Sequence, residues 1–323
     1  MNATPNLRPM SIGDLLDAAF RLYRRHFLTF IGIVALLQVP MAILQFLVQI
    51  PYTQALQRFT TRPPTPRPGS TFLDFFPLRE LLPYYGLLFV LSVVHYLIVY
   101  NVMTGALANA IARSYMGQPV SILSAYSLGG RRIMSLIAAS FVPFLIGLAF
   151  VLVGAGCAIA ALSTIGVRSS ESSNAGLAVV AVLGMFGLVL LLILVGLLIY
   201  VRLLLATQAI VLEGRGALEG LKRSWWLVGQ SFWRTLGIVL LVFLFAYIIA
   251  LIVQLPVLAV LAISGAMFRN LTLYQFVNLL VAYGVTLVIL PLQFIIFTLL
   301  YYDLRVRKEG YDIEVQAQQM TLT

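Results

Sequence analysis

The chain has 323 residues, 61% of them apolar and 10% charged, with a mean hydropathy of +0.99. Soluble domains are about 45–50% apolar and about 25% charged, so the apolar excess excludes an ordinary cytosolic enzyme. Its 21 basic and 11 acidic residues leave a net charge of +10, which in a membrane protein is first a question of which side the basic residues occupy.

The first 26 residues read as a polar arm with an amphipathic helix. Ser11 and Asp14 form an N-cap pattern at its start. Ile12, Leu15, Leu16, Ala19, Leu22 and Tyr23 share one helical face, with Asp14, Asp17, Arg21, Arg24 and Arg25 opposite. The apolar run Phe27–Ile50 follows. It is too long for a cleavable signal peptide, lacks a small-residue cleavage site and follows a polar arm, so it reads as a first span. Thr61–Ser70, rich in proline, reads as an extended spacer.

Further spans are expected near Tyr84–Ala112, Leu136–Leu162, Gly176–Tyr200, Phe232–Ile263 and Phe276–Tyr301. A spanning helix needs roughly 20 mostly apolar residues, and lipid offers no partner for open backbone groups, so all six spans must be helices. Cys157 lies in the third and reads as a small buried hydrophobe; one cysteine excludes an intramolecular disulfide and a thiolate cluster. Ahead of the fifth span, Leu218, Leu221, Trp225, Val228 and Phe232 make a stripe with 3–4 spacing, flanked by Lys222 and Arg223. All three tryptophans, Trp225, Trp226 and Trp233, lie here. Residues 302–323 form the tail. The expected fold is thus an all-α integral membrane protein, a single polytopic domain over residues 1–323 with spans within 27–301.

Orientation follows from the basic residues. One side carries Arg8, Arg21, Arg24, Arg25, Arg113, Arg131, Arg132, Arg202, Arg215, Lys222, Arg223, Arg234, Arg305, Arg307 and Lys308. The other carries Arg58, Arg62, Arg67, Arg79, Arg168 and Arg269. Fifteen against six places both termini in the cytoplasm of a plasma-membrane protein.

The same side carries a repeat. Gly117, Gly214 and Gly310 end the even-numbered spans at spacings of 97 and 96 residues. Pro9-Met-Ser-Ile12 matches Pro119-Val-Ser-Ile122, and Gly216-Ala-Leu218 takes that place in the third copy. Arg24-Arg25, Arg131-Arg132 and Arg234 precede the odd spans, each of which contains a proline: Pro40, Pro143 and Pro256. The unit is an interfacial helix, a span, an outer loop and a span, over about 9–117, 119–214 and 216–310. Two spans per unit make the repeats parallel, not inverted. The middle interfacial helix, with Gly129 and Gly130, is expected to break before Arg131.

Two groups of residues are candidate sites. Arg21, Arg24, Arg25, Arg131, Arg132, Lys222, Arg223 and Arg234 can meet anionic lipid headgroups, the expected partner, or they can simply anchor and orient the spans. Gln38, His95, Asn101, Gln254 and Gln293 can line a hydrated midplane cavity, or they can tie helices together by hydrogen bonds. No Asp or Glu lies near the centre of a span, which weighs against a proton or sodium-coupled carrier. Asp303, Arg305 and Arg307 read as a solvated helix end. Arg202 reads as snorkelling to the boundary.

The stretch Arg8-Pro-Met-Ser-Ile-Gly-Asp-Leu-Leu-Asp-Ala-Ala-Phe-Arg-Leu-Tyr-Arg-Arg-His-Phe27 resembles the opening of a bacterial family known as the membrane domain of glycerophosphoryl diester phosphodiesterase. Gly220–Trp233 and Tyr301–Gly310 are similar to other typical stretches of it. The resemblance implies a stand-alone membrane domain. The catalytic domain fused to some relatives needs a His-Arg-Gly start and acidic metal ligands, whereas His26 here precedes Phe27 and His95 precedes Tyr96. The expected function is non-enzymatic: no cofactor, no nucleic acid, and a role in organising anionic lipid or a membrane protein partner. The competing expectation is a transporter or channel subunit using the midplane cavity.

Overall fold

A computed structural model describes residues 9–61, 78–168, 175–264 and 270–311. Arg8, Arg62, Arg67, Arg269, the proline-rich spacer from residue 62 and the tail from residue 312 lie outside the described residues, as do the side chains of Arg79 and Arg168.

Every regular element among the described residues is helical. A short helix α1 (Ile12–Arg25) leads into α2 (Phe27–Thr61). Then come α3 (Leu78–Val94), a π-helical turn (His95–Val99) and α4 (Tyr100–Tyr115), which together form one rod. A single turn α5 (Ile122–Ala125) precedes α6 (Gly130–Arg168). The next rod is broken into α7 (Ala175–Leu203) and α8 (Ala206–Glu213). The chain closes with α9 (Ala217–Gly229), α10 (Phe232–Ile263) and α11 (Leu271–Glu309). Six stretches are long and apolar enough to cross a membrane: Phe27–Arg58, Leu81–Tyr115, Gly130–Cys157, Val182–Glu213, Phe232–Ile263 and Leu271–Glu309. The protein is a multi-pass, all-helical membrane protein.

The short helices start from one device. Ser11 caps α1 by accepting from Asp14 N, while the Asp14 carboxylate accepts from Ser11 N. Ser121 and Ser124 repeat this reciprocal pair at α5. Gly216 has no side chain to offer, and the Glu219 carboxylate alone accepts from its N–H. Each box satisfies backbone donors that a helix start leaves open. Gly117, Gly214 and Gly310, with φ of 73°, 69° and 65°, are the positive-φ residues among those described. Each ends a span in the left-handed conformation that glycine alone adopts without a Cβ penalty.

α11 is the centre of the bundle and packs against α1, α2, α4 and α10. Its residues Ile295 to Leu304 are buried without interruption. They form one core with Phe30 and Ile33 of α2, Leu107 and Ile111 of α4, Leu205 at the α7/α8 break, Leu227 of α9 and Ile238 of α10. This core occupies the end where α1, α5 and α9 gather, here called the basal end. Toward the other end the helices turn apolar side chains outward: Leu152 is 64% exposed, Phe186 67% and Ile252 65%. Water would penalise such a surface, whereas lipid tails match it. Cys157 shares this half and is only half-buried, not a core residue, because that end of α6 faces outward.

α1 keeps its sequence-based phase apart from Ile12, whereas α9 departs from its own. The apolar side of α1 packs on protein, with Leu15, Ala19 and Tyr23 buried against the core while Ile12 is exposed. In α9 the stripe divides: Leu221 and Val228 are buried, Leu218 and Trp225 exposed. Gly220 and Ser224 set that rotation. A Cβ on Gly220 would collide with Ile210 of α8, so the glycine permits close approach. Ser224 Oγ accepts from Leu205 N at 3.1 Å and donates to Arg202 O at 2.8 Å, pairing backbone groups left open by the α7/α8 break.

Candidate functional site

The charged residues of the basal end divide into an engaged set and an open set. Asp303 is fully buried on α11, which corrects its reading as a solvated end. Its Oδ1 accepts from Met10 N at 2.7 Å. Arg234 lies 2.9 Å from Oδ2, and Arg307 Nε donates to both oxygens at 3.1 and 3.0 Å. The same two guanidiniums donate to Met10 O at 2.7 and 2.8 Å. The backbone entering α1 is thereby clasped to α10 and α11. The physical reason is burial: a carboxylate inside the bundle must be paired and hydrogen-bonded.

A second cluster centres on Glu213, the last residue of α8. Its carboxylate accepts from Tyr301 and from Arg223 Nη2 at 2.9 Å, and pairs with Arg215 at 2.5 Å and Arg305 at 3.5 Å. Glu309 accepts from Arg223 Nη2 at 2.7 Å and Arg305 Nε at 3.2 Å. Burial opposes the Arg223 charge, but hydrogen bonds to Glu309 and Glu213 outweigh it and raise its pKa. Arg202, read as snorkelling, stacks over Trp225 at 4.8 Å and Phe232 at 5.5 Å. Lys308 donates to Trp226 O at 2.8 Å and lies 4.9 Å from its ring.

Of the eight cations singled out for lipid headgroups, Arg223 and Arg234 therefore belong to internal ion pairs. The other six, Arg21, Arg24, Arg25, Arg131, Arg132 and Lys222, are exposed and form no ion pair among the described residues. They lie on α1, α6 and α9 at the basal end. Trp225 and Trp226 of α9 and Trp233 at the start of α10 are at the same end, 47%, 50% and 81% exposed. Between α1 and the end of α4 is an open groove of about 610 Å³, lined by Asp14, Ala18, Arg21, Leu22, Arg25 and Tyr115. Arg21 and Arg25, one turn apart, share its wall.

The five residues expected around a midplane cavity are dispersed. His95 Nε2 and Gln38 Oε1 are 3.2 Å apart and join α2 to the π turn. Asn101 donates to Tyr96 O and Leu97 O, both at 3.0 Å, pairing carbonyls at the π turn. Gln254 bonds to Asn278, linking α10 to α11. Gln293 is half-buried on α11. Gln45, on the same face of α2 as Gln38, accepts from Tyr283 of α11. Ser92 bonds to Leu88 O and not to His95. Among the described residues no group of three or more His, Cys, Asp or Glu could hold a metal.

Comparison with known sequences adds a family. A family described as "Domain of unknown function (DUF7847)" matches residues 10–304. The chain belongs to this family. The match links it to no phosphodiesterase membrane domain. No curated protein and no solved structure matches. The matched region begins at Met10 and ends one residue after Asp303, so the clasp joins its two ends.

Three functional positions escaped the sequence reading. Asp303 carried a weak signal, since an acid flanked by Arg305 and Arg307 at a helix end fits a solvated terminus equally well. Ser224 carried none, because no glycine or proline marks the helix break it serves at Leu204 and Leu205. Glu213 stood beside the glycine marker at Gly214, yet nothing local names Tyr301 or Arg305 as its partners.

Proposed function

We propose that this protein is a non-enzymatic component of the plasma membrane whose basal end holds anionic lipid headgroups. Its basal end faces the cytoplasm, in keeping with the excess of basic residues there. One observation carries the reading: six exposed cations that form no ion pair among the described residues gather at the end where the only three tryptophans are exposed. Each basic side chain near an anionic leaflet contributes about 1 kcal/mol, and indole rings favour the headgroup level. The engaged arginines hold the helices that present the open ones.

Within this reading the bundle is three parallel units, each opened by an interfacial helix. The capping residues Ser11, Ser121 and Gly216 and the left-handed Gly117, Gly214 and Gly310 support it, because they recur at matching places. The transporter alternative gains no support from the five polar residues: Gln38 pairs with His95, while Asn101 and Gln254 bond elsewhere.

Native mass spectrometry tests the function. Purified protein exchanged through mild detergent is expected to retain phosphatidylglycerol over phosphatidylcholine. Arg21, Arg24, Arg25, Arg131, Arg132 and Lys222 all changed to Gln should abolish the preference. Equal retention of both lipids by the unmodified protein would overturn the reading.

A further inference from the structure

A second, uncharged binding site lies inside the bundle, where three interruptions of helical regularity meet. The π turn brings Tyr96 and leads into Tyr100 and Asn101; Pro143 interrupts α6; and the α7/α8 break lies between Tyr200 and Ile210. Irregular backbone at membrane depth is tolerated where it is buried or lines a cavity. Here it lines a cavity of about 130 Å³. An engineered apolar cavity of roughly 150 Å³ stays dry and binds benzene, so this one has the girth for a hydrocarbon segment.

The cavity has a direction. Its wall on α7 and α8 runs ten residues from Tyr200 to Ile210, about 15 Å at 1.5 Å per residue. The basal stretch is formed by Leu136, Ile210 and Leu221, with Ser140, whose hydroxyl donates to Ile137 O, and Thr207 one turn further along. The other stretch carries Tyr96, Tyr100, Asn101 and Tyr200. Asn101 is 94% buried and uses its Nδ2 on backbone, while its Oδ1 takes no donor among the described residues. The hydroxyls of Tyr100 and Tyr200 likewise have no hydrogen-bond partner there. No Asp, Glu, Lys, Arg or His lines the space. A charged ligand would lose its hydration without compensation. Tyr96 and Tyr200 are 37% and 42% exposed, so the polar end reaches the lipid-facing surface.

We propose that this slot binds a neutral amphiphile from the bilayer: an apolar chain directed toward the basal end, with one uncharged hydroxyl held by Asn101 Oδ1 and the tyrosine hydroxyls. This site is independent of the basal cations and takes ligands of the opposite character. Hydroxyl recognition by a buried acceptor gives it selectivity, because an alkane leaves that acceptor unpaired.

The probe is a diazirine analogue of decan-1-ol, photolysed with the full chain in phosphatidylcholine nanodiscs. Adducts are expected on residues 96–101 and 136–143. Decan-1-ol should compete, while decanoate held ionised at pH 9 should compete at least tenfold less well. Ala139→Leu fills the wall and should lower labelling at least fivefold while keeping or raising the melting temperature. Tyr200→Phe should narrow the preference for decan-1-ol over decane. Undiminished labelling of Ala139→Leu, equal competition by decanoate, or unfolding of Ala139→Leu for want of room would each overturn the proposal.

Discussion

Replacing Asp303 with Ala should loosen the basal end of the whole molecule. The buried carboxylate receives Met10 N at 2.7 Å, Arg234 at 2.9 Å and Arg307 at 3.0 Å. Its removal leaves the Met10 N–H without an acceptor and the two guanidiniums without a counter-charge, with only Met10 O to donate to. Breaking a buried ion pair by deleting one partner costs about 3–5 kcal/mol. Arg234 and Arg307 are 23% and 35% exposed at the side chain, so both can regain water and the lower part of that range applies. We expect about 3–4 kcal/mol for Asp303→Ala. Asp303→Asn keeps one acceptor for Met10 N and should lose about 1–2 kcal/mol less, since hydrogen bonds to charged groups are the stronger ones. Denaturant titration in detergent micelles measures the loss. Limited trypsin digestion supplies the local readout, because α1 carries Arg21, Arg24 and Arg25 and is held partly through Met10. Cleavage there should accelerate before global unfolding. Unchanged stability together with unchanged cleavage of α1 would refute the clasp.

Three further outcomes follow from the same geometry. Ser224→Ala should destabilise by about 1–3 kcal/mol in the same titration, because Leu205 N and Arg202 O lose their partner inside the bundle. Gly220→Ala should cost about 1–3 kcal/mol by overpacking against Ile210, and Ile210→Ala in the same chain should recover part of that loss in a double-mutant cycle. For orientation, in a Cys157→Ser background a cysteine at Arg24 should react with a membrane-impermeant maleimide only in inverted vesicles, and one at Arg58 only in right-side-out cells.

Much of this architecture is legible in the residues themselves. Apolar runs locate the six spans, since lipid demands long uninterrupted helices. Gly117, Gly214 and Gly310 mark span ends because a left-handed terminus favours glycine over other residues. Ser11 with Asp14 announces the cap of α1. What stays hidden is whatever depends on distant partners. The stripe of α9 was drawn from hydrophobicity, but Gly220 and Ser224 rotate the helix for reasons set by α8 and the break before it. Basic residues look alike in sequence; only the positions of Glu213, Asp303 and Glu309 divide Arg223 and Arg234 from the six that remain open. The midplane amides are visible as polar residues in apolar runs, yet nothing local tells Asn101, which bonds within its own rod, from Gln38 and Gln254, which bond to other helices.

The proposed role requires anionic lipid to meet the open basal cations, and the protein carries its own reporter. Its only tryptophans, Trp225, Trp226 and Trp233, are exposed at the same end. Fluorescence quenching by brominated phosphatidylglycerol, against brominated phosphatidylcholine in matched vesicles, measures which lipid collects there. Severalfold stronger relative binding of the glycerol lipid is expected, falling with salt and lost when the six open cations are changed to Gln. Equal quenching by the two lipids at low salt would contradict it.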